Sequence, residues 1–304
     1  MKKISIVSGC YNEQDNIEEL YNRVKSQMDK YEGKYEWEQI IIDNFSSDNT
    51  VEKLRELAKN DKRVKVILNA RNFGHIRSPY YGIMQAEGDA VIYIASDLQD
   101  PPEIIEQFIE KWEQGYKIVL GQKTNSKESK SMYRIRKLFY WFMEHIIDDG
   151  TEQIKQYTGF GLYDKTVVDT MHSIEDPYPY FRGLICDIGF EKALIPYTQN
   201  KRERGITTNN FYTLYDNAML GVVKHSKVLL RLAVFMGVAM GIISLFIFFI
   251  SMFNKSALSF IIAGFLFISA IQLFFIGIVG EYVGAIHTRV NNRPLVVEKE
   301  RINF

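Results

Sequence analysis

Short apolar runs alternate with helical periodicity through the first 120 residues. The runs at 4–8, 39–42, 64–68, 90–94 and 118–120 are mainly apolar at both odd and even positions, with Ser5, Ser8, Gln39 and Lys65 as exceptions, the pattern of strands buried on both faces. Between them, 17–31, 51–59, 76–85 and 102–114 repeat apolar residues at helical spacing. This alternation predicts an α/β domain with a mostly parallel sheet. In such sheets ligands bind beyond the carboxyl ends of the strands. Polar residues collect at those ends: Tyr11-Asn12-Glu13, then Asp43-Asn44 with Ser46-Ser47-Asp48, then Arg71-Asn72, then Asp97-Leu98-Gln99-Asp100. Singly, each reads as an ordinary turn or helix cap. Their agreement at four strand ends points to one binding site. No GxGxxG follows the first run and no Walker A sequence occurs, so dinucleotide and P-loop readings fail.

The pattern changes after residue 231. Residues 232–254 carry no charge over 23 positions, and 256–280 none over 25. A bilayer core ~30 Å thick needs ~20 apolar helical residues, so each run is long enough to cross. Only Asn254-Lys255 stands between them, which predicts a helical hairpin. Lys224, Lys227 and Arg231 precede the pair and Arg289 and Arg293 follow it, whereas Lys255 alone marks the turn. The positive-inside rule then places the N-terminal domain and the tail in the cytoplasm, with a multi-pass anchor in the cell (inner) membrane. Phe211, Leu214, Tyr215, Ala218, Met219, Val222 and Val223 form an apolar stripe just before the first span, predicting an amphipathic helix in the interface plane. The apolar stretch at the N-terminus is too short for a targeting peptide and reads as a strand.

Charge and cysteine content narrow the classes. Basic and acidic residues balance at 37 each, which argues against a nucleic-acid partner. Hydrophobic content of 46% excludes a disordered chain. Two cysteines, Cys10 and Cys186, exclude a disulfide scaffold. His75, His145, His172, His225 and His287 lack metal-ligand spacing.

The set YNE, IIIDNFSSDNT, RNFG and SDLQDPPE, together with TGFGLYD, FRGL, two C-terminal spans and RPLVVEKERINF, resembles the family-2 glycosyltransferases. More narrowly it is similar to the polyprenyl-phosphate (undecaprenyl-phosphate) glycosyltransferases related to dolichol-phosphate mannose synthase. The resemblance covers essentially the whole chain. It implies a GT-A fold (Rossmann-like), a nucleoside-diphosphate sugar donor, a divalent metal, Mg²⁺ or Mn²⁺, and a lipid-phosphate acceptor. The expected organisation is a cytoplasmic GT-A catalytic domain over 1–210 and a juxtamembrane amphipathic helix over 211–227. Two spans within 228–286 (about 232–254 and 256–280) and a cytoplasmic tail over 287–304 follow.

By that resemblance, Tyr11, Asn12 and Glu13 form the nucleotide-binding turn and Asp43 is the carboxylate that holds base or ribose. The other reading of Asp43 is a cap for the helix starting near Thr50. Arg71 is a candidate for the donor phosphates. Asp97 and Gln99 match the metal motif; two side-chain oxygens suit a hard cation that also bridges a diphosphate. Asp100 and Glu103 read as the acidic start of the helix opened by Pro101-Pro102. Two departures stand out. Ala95 replaces an acidic residue common in the family, and Gly159, aligned through Phe160, replaces the carboxylate of a later loop. A lipid phosphate is already an anion near neutral pH, so loss of that candidate base shifts the work to positioning and charge stabilisation.

Donor diphosphate and lipid phosphate repel, so cations must lie between them. Candidates for the acceptor phosphate are Arg134, Arg136 with Lys137, Arg182 and Arg202; Arg182 and Arg204 best match family positions and join Asp97 as catalytic candidates. The bland alternative for Arg134 to Lys137 is a solvated face over a packed stripe. The reaction expected is inverting transfer of a hexose, glucose first, from a nucleotide sugar, UDP-glucose first, to undecaprenyl phosphate for cell-wall and surface-polymer glycosylation. UDP-N-acetylglucosamine and UDP-galactose stay open as donors. Competing readings are a processive polysaccharide synthase and a non-catalytic membrane partner. Trp37, Trp112 and Trp141 sit in no QxxRW context, against the first. Ala95 and Gly159 favour the second. Glycines on the spans and a tail over 293–304 without a core of its own predict packing on a neighbouring subunit, with a tetramer favoured by the resemblance.

Overall fold

The computed structural model describes residues 1–125, 157–174, 176–200, 236, 239, 242, 258–291 and 293–304. The chain opens with β1 (Lys2–Cys10), α1 (Ile17–Met28) extended by a 3₁₀ turn at Asp29–Tyr31, β2 (Tyr35–Asp43), α2 (Thr50–Asn60) and β3 (Val64–Asn69). It continues through α3 (Gly74–Met84), β4 (Ala90–Tyr93), a 3₁₀ turn at Pro102–Ile104, α4 (Ile105–Glu113) and β5 (Ile118–Asn125). Then come β6 (Tyr157–Asp164), α5 (Lys165–Ile174), α6 (Phe181–Asp187), β7 (Lys192–Thr198), α7 (Leu258–Val290) and β8 (Glu298–Ile302).

The strands form one sheet in the order β7-β5-β6-β4-β1-β2-β3-β8. β1, β2, β3 and β4 are mutually parallel, β5 and β7 run the same way, and β6 and β8 are antiparallel to their neighbours. The α/β fold with a mostly parallel sheet is therefore present. Strand parity explains why the runs carry apolar residues at both odd and even positions. Ile4, Ile6, Trp37, Ile92 and Ile94 pack on α1 and α4, and Ile41, Val64, Val66 and Leu68 on α2. The opposite parity, Val7, Ile40, Ile42, Ile67 and Val91, packs on α3, α5 and α6. Burying both faces requires both parities to be apolar.

The five strand runs and four helices read from the sequence all occur, with ends displaced by a few residues. Helix α4 begins later than expected because Pro102–Ile104 form a 3₁₀ turn. Strands β6, β7 and β8 lack the continuous apolar runs of the others, and the pattern does not predict them.

The tail corrects an expectation. Instead of being left for a neighbouring subunit, residues 298–302 form β8 on the edge of this chain's own sheet, Val66 opposite Ile302 and Leu68 opposite Glu300. The edge of β3 would otherwise expose unpaired backbone groups. Arg55 forks onto Glu300, and Asn303 donates to the carbonyls of Ala58 and Val64 at 2.6 and 2.8 Å, so the strand is held at its middle and just past its C-terminal end.

Helix α7 belongs to a separate compact unit. It spans 33 residues, about 50 Å at 1.5 Å per residue, and its stretch Phe267–Val290 is long and apolar enough to cross a membrane. Phe265, Phe267, Phe274, Ile276, Val279 and Ile286 are exposed on it. It overlaps the second expected span, 256–280, and continues ten residues beyond it. The first expected span and the amphipathic stretch over 211–227 lie outside the described residues, apart from isolated helical positions at 236, 239 and 242.

Candidate active site

The loops after β1 and β2 are stitched together. Asn12 adopts φ 56°, a left-handed conformation that asparagine tolerates well. Its amide donates to Ser46 Oγ at 2.8 Å, and its side-chain oxygen accepts the Ser47 amide at 2.8 Å. The Glu13 amide donates to Thr50 Oγ1 at 2.9 Å, and the buried Glu13 carboxylate accepts from Asn16 Nδ2 at 2.6 Å. Asn12 and Glu13 thus build and brace the turn after β1, and Tyr11 stands half-buried at its start.

Asp43 sits inside that turn rather than on its surface. Its side chain is 1% exposed. It accepts the Phe45 amide at 3.1 Å, the Ser46 amide at 3.0 Å and the Ser46 hydroxyl, with Cys10 Sγ 3.7 Å away. Burial pushes the carboxyl above its ordinary value, and the Ser46, Cys10 and Phe45 donors act against this. The helix-cap role considered for Asp43 falls to Asp48, which accepts the Thr50 amide at 3.0 Å. The turn that Asp43 closes leaves Phe45 at φ 71° and 51% exposed, an aromatic ring held outward at a conformational cost. No sequence signal marked Phe45.

Asn44 ties this loop to the end of β3. It donates to Asn72 Oδ1 and to the Gly74 carbonyl, and accepts from Asn69 and from the Phe73 amide. Arg71 is exposed at that end, its guanidinium 4.1 Å from the Phe73 ring centre.

At the end of β4, Asp97, Leu98 and Gln99 are half-buried and Asp100 is buried. Leu98 adopts φ 57°, a strained value for a bulky residue, and the Gln99 amide donates to Asp97 Oδ1 at 3.2 Å. The reading of Asp100 as the acidic opening of a helix is corrected. The helix begins later, and Asp100 instead accepts the Tyr197 hydroxyl from β7. Burial pushes the Asp100 carboxyl up, Tyr197 and Lys123 oppose this, and the nearby Asp97 charge adds to it. The Asn200 amide donates to the Gln99 carbonyl at 3.0 Å, a second tie between this loop and the end of β7.

The donor set suits Mg²⁺ or Mn²⁺ in one specific way. Asp97 and Gln99 supply one carboxylate and one amide oxygen, and Asp100 is committed to Tyr197. Among the described residues, no group of three His, Cys, Asp or Glu forms a protein cage. Two protein oxygens completed by water and substrate phosphate is how such hard cations are commonly held.

Gly159 has φ 105°, and a Cβ there would stand 3.5 Å from Tyr93 and 3.6 Å from Phe181. Any side chain at this position would be strained by the backbone conformation, while its Cβ would make only ordinary contact with the two rings. Gly161 is required for packing, since its Cβ would lie 2.5 Å from the Val119 carbonyl. Arg182 is exposed in the first turn of α6, directly after Phe181. Arg134, Arg136, Lys137, Arg202 and Arg204 lie outside the described residues. The sheet order β4-β1-β2-β3 therefore places the Asp97, Asn12 and Asp43 loops side by side, with Arg71 one strand further.

Comparison with known proteins gives this arrangement its family. The profile of Glycosyl transferase family 2 matches residues 5–171. The chain is 35% identical over 303 residues to the uncharacterized glycosyltransferase YkcC of Bacillus subtilis, covering 96% of this chain and 92% of that one. It is 30% identical over 306 residues to the SfII prophage-derived bactoprenol glucosyl transferase of Shigella flexneri, covering 98% of each. Among solved structures it resembles Mycobacterium tuberculosis glucosyl-3-phosphoglycerate synthase in complex with Mn²⁺, UDP and phosphoglyceric acid. That likeness has a TM-score of 0.50 at 16% identity, over 73% of this chain and 76% of that one, and shows the GT-A fold. The chain belongs to the glycosyl transferase family 2.

Proposed function

We propose that the protein transfers glucose from UDP-glucose to undecaprenyl phosphate at the cytoplasmic leaflet, with inversion at the anomeric carbon. The observation that carries this reading is the row of loops at the ends of β4, β1 and β2, which sets Asp97 and Gln99 in the loop beside the braced turn of Asn12 and Asp43. The bactoprenol glucosyl transferase relative, similar from end to end, supports the acceptor and the sugar. The apolar helix α7 supports action at a membrane, and two spans with both termini cytoplasmic complete the proposed topology.

The residues divide the work. Asn12, Glu13 and Asp43 hold the shape of the turn that receives the nucleotide, and Tyr11 and Phe45 stand at its surface. Asp97 and Gln99 would hold the divalent cation, which when bound neutralises charge developing on the departing UDP. A phosphate oxygen of the lipid attacks the anomeric carbon as the bond to the UDP oxygen breaks. No side chain has to remove a proton from an acceptor that is already ionised, so a glycine at 159 is compatible with turnover. Arg182, with Arg134, Arg136, Arg202 and Arg204 as further candidates, would offset repulsion between the two phosphates.

The test is a donor-by-donor transfer assay with undecaprenyl phosphate and Mg²⁺ or Mn²⁺, repeated with Asp97→Asn. Glucose should be transferred from UDP-glucose, and the variant should lose about 10²–10³-fold in kcat, the size seen when a group facing developing charge is removed. Lipid-linked sugar from no donor, or an Asp97→Asn enzyme at full rate, overturns the reading. Ala95 and Gly159 favour a second reading, a partner that binds donor without turnover; calorimetric UDP-glucose binding with no radiolabel transfer would establish it.

A further inference from the structure

Three arginines meet at the edge of the sheet beyond the nucleotide turn. Arg71 and Arg77 share one ring, their guanidinium carbons 4.1 and 5.5 Å from the centre of Phe73. Arg77 also donates to the Pro294 carbonyl, which brings Arg293 alongside. Arg77 Nε is buried and has no hydrogen-bond partner. Burial and the charges of Arg71 and Arg293 hold the Arg77 guanidinium below its ordinary value, and the Tyr178 phenol acts the other way. Arg77 lies in the first turn of α3, where a cation also opposes the helix dipole. An anion seated among the three would relieve each of these costs.

Connectivity limits where that anion can come from. Arg293 follows Val290, the last residue of α7, by three positions, at most about 11 Å of extended chain. With the apolar stretch Phe267–Val290 of α7 read as the span, Arg293 lies within about 11 Å of the point where the chain leaves the membrane. The reacting phosphates are poorly placed for this cluster. β3 lies three strands from β4, about 14 Å at ~4.8 Å per strand, whereas donor and acceptor must meet beside Asp97.

We propose that Arg71, Arg77 and Arg293 form a phosphate-binding cluster that docks this edge of the catalytic sheet on anionic phospholipid headgroups. Guanidinium forks suit phosphate oxygens geometrically, and each basic residue near an anionic leaflet contributes roughly fivefold in affinity. Docking at this edge would fix the height of the neighbouring nucleotide turn above the bilayer. The proposal rests on the reading of α7 given above.

The test uses the full chain in lipid nanodiscs made of phosphatidylcholine with and without phosphatidylglycerol, read by hydrogen exchange. Insertion into both kinds of disc reports on α7, and only the difference between them reports on the cluster. Peptides containing 71–77 and 293–297 should exchange about five- to 25-fold more slowly in the anionic discs, for one to two fully engaged arginines. Arg293→Gln, at an exposed position, should remove most of that difference, and so should Arg77→Gln; Arg293→Lys should restore part of it. Equal exchange in both lipids, or a difference that survives both glutamine variants, overturns the proposal. So does protection that appears only on adding polyprenyl phosphate or UDP, which would assign the cluster to a substrate phosphate.

Discussion

At the scale of single residues, the site carries its cost in buried carboxyls and left-handed backbone. Asp100 is buried, pushed up by desolvation, and answered by the Tyr197 hydroxyl. Removing the charge while keeping an acceptor should help the fold. Asp100→Asn is therefore expected to raise stability at neutral pH by about 1 kcal/mol, while Tyr197→Phe leaves the carboxylate short of a donor and costs about 1–3 kcal/mol. Urea unfolding of the two variants beside wild type checks the opposite signs; two losses of equal size would refute the assignment. If the Asp100–Tyr197 tie positions the metal loop, both variants should also weaken Mn²⁺ affinity. Asp97 and Gln99 were legible as candidates because the motif that carries the family resemblance is contiguous in the chain. The sequence hid Asp100–Tyr197 because that pair joins positions 97 apart in the chain. It also hid Phe45, since nothing about a phenylalanine announces a left-handed backbone.

At the scale of elements, the parallel strands were legible because burial on both faces makes them apolar at both odd and even positions, a signal that needs no partner to recognise. Strands β6 and β7 alternate or carry glycines, and β8 is largely charged, so their identity depends on neighbours far away in sequence. β8 is the clearest case: EKERI is an unpromising strand, yet it closes the β3 edge. Its anchor is Asn303, at φ 64°, whose side-chain nitrogen donates to the Ala58 and Val64 carbonyls. Ala58 lies in the last turn of α2, where carbonyls have no helical partner. Asn303→Ala is expected to cost about 1–3 kcal/mol from two lost bonds, and Asn303→Asp more, because a carboxylate would face two carbonyl oxygens. Glu300→Ala, which breaks an exposed ion pair, should cost less than either asparagine variant. Chemical denaturation that ranks Glu300→Ala above Asn303→Asp would show that the ion pair, and not the asparagine, fixes the strand.

At the scale of the whole molecule, scaffold and site carboxyls respond to acid in opposite directions. Asp61 is held at about 2, below its ordinary 3.8, chiefly by hydrogen bonds from Arg63 and then by Tyr21, against a smaller effect of burial. Asp164 is also held at about 2; burial is the largest single influence and acts upward, but Trp112, Thr166 and Lys117 together outweigh it. For both, the unfolded chain binds a proton more readily than the fold does. Their contribution is therefore complete above about pH 4 and is lost as pH falls towards about 2. Asp43 and Asp100 are raised instead, so the fold gains relative stability as they take up protons on the way down. With solvent screening, each scaffold carboxylate is worth on the order of 1 kcal/mol. The double variant Asp61→Asn with Asp164→Asn should start less stable at neutral pH and lose less on acidification. Its urea-unfolding free energy should approach that of wild type between about pH 4 and pH 2 and meet it near about pH 2, where the wild-type carboxyls take up protons in the fold. Free-energy curves that stay parallel from neutral pH down to that point would show that neither carboxylate carries the acid sensitivity of the sheet.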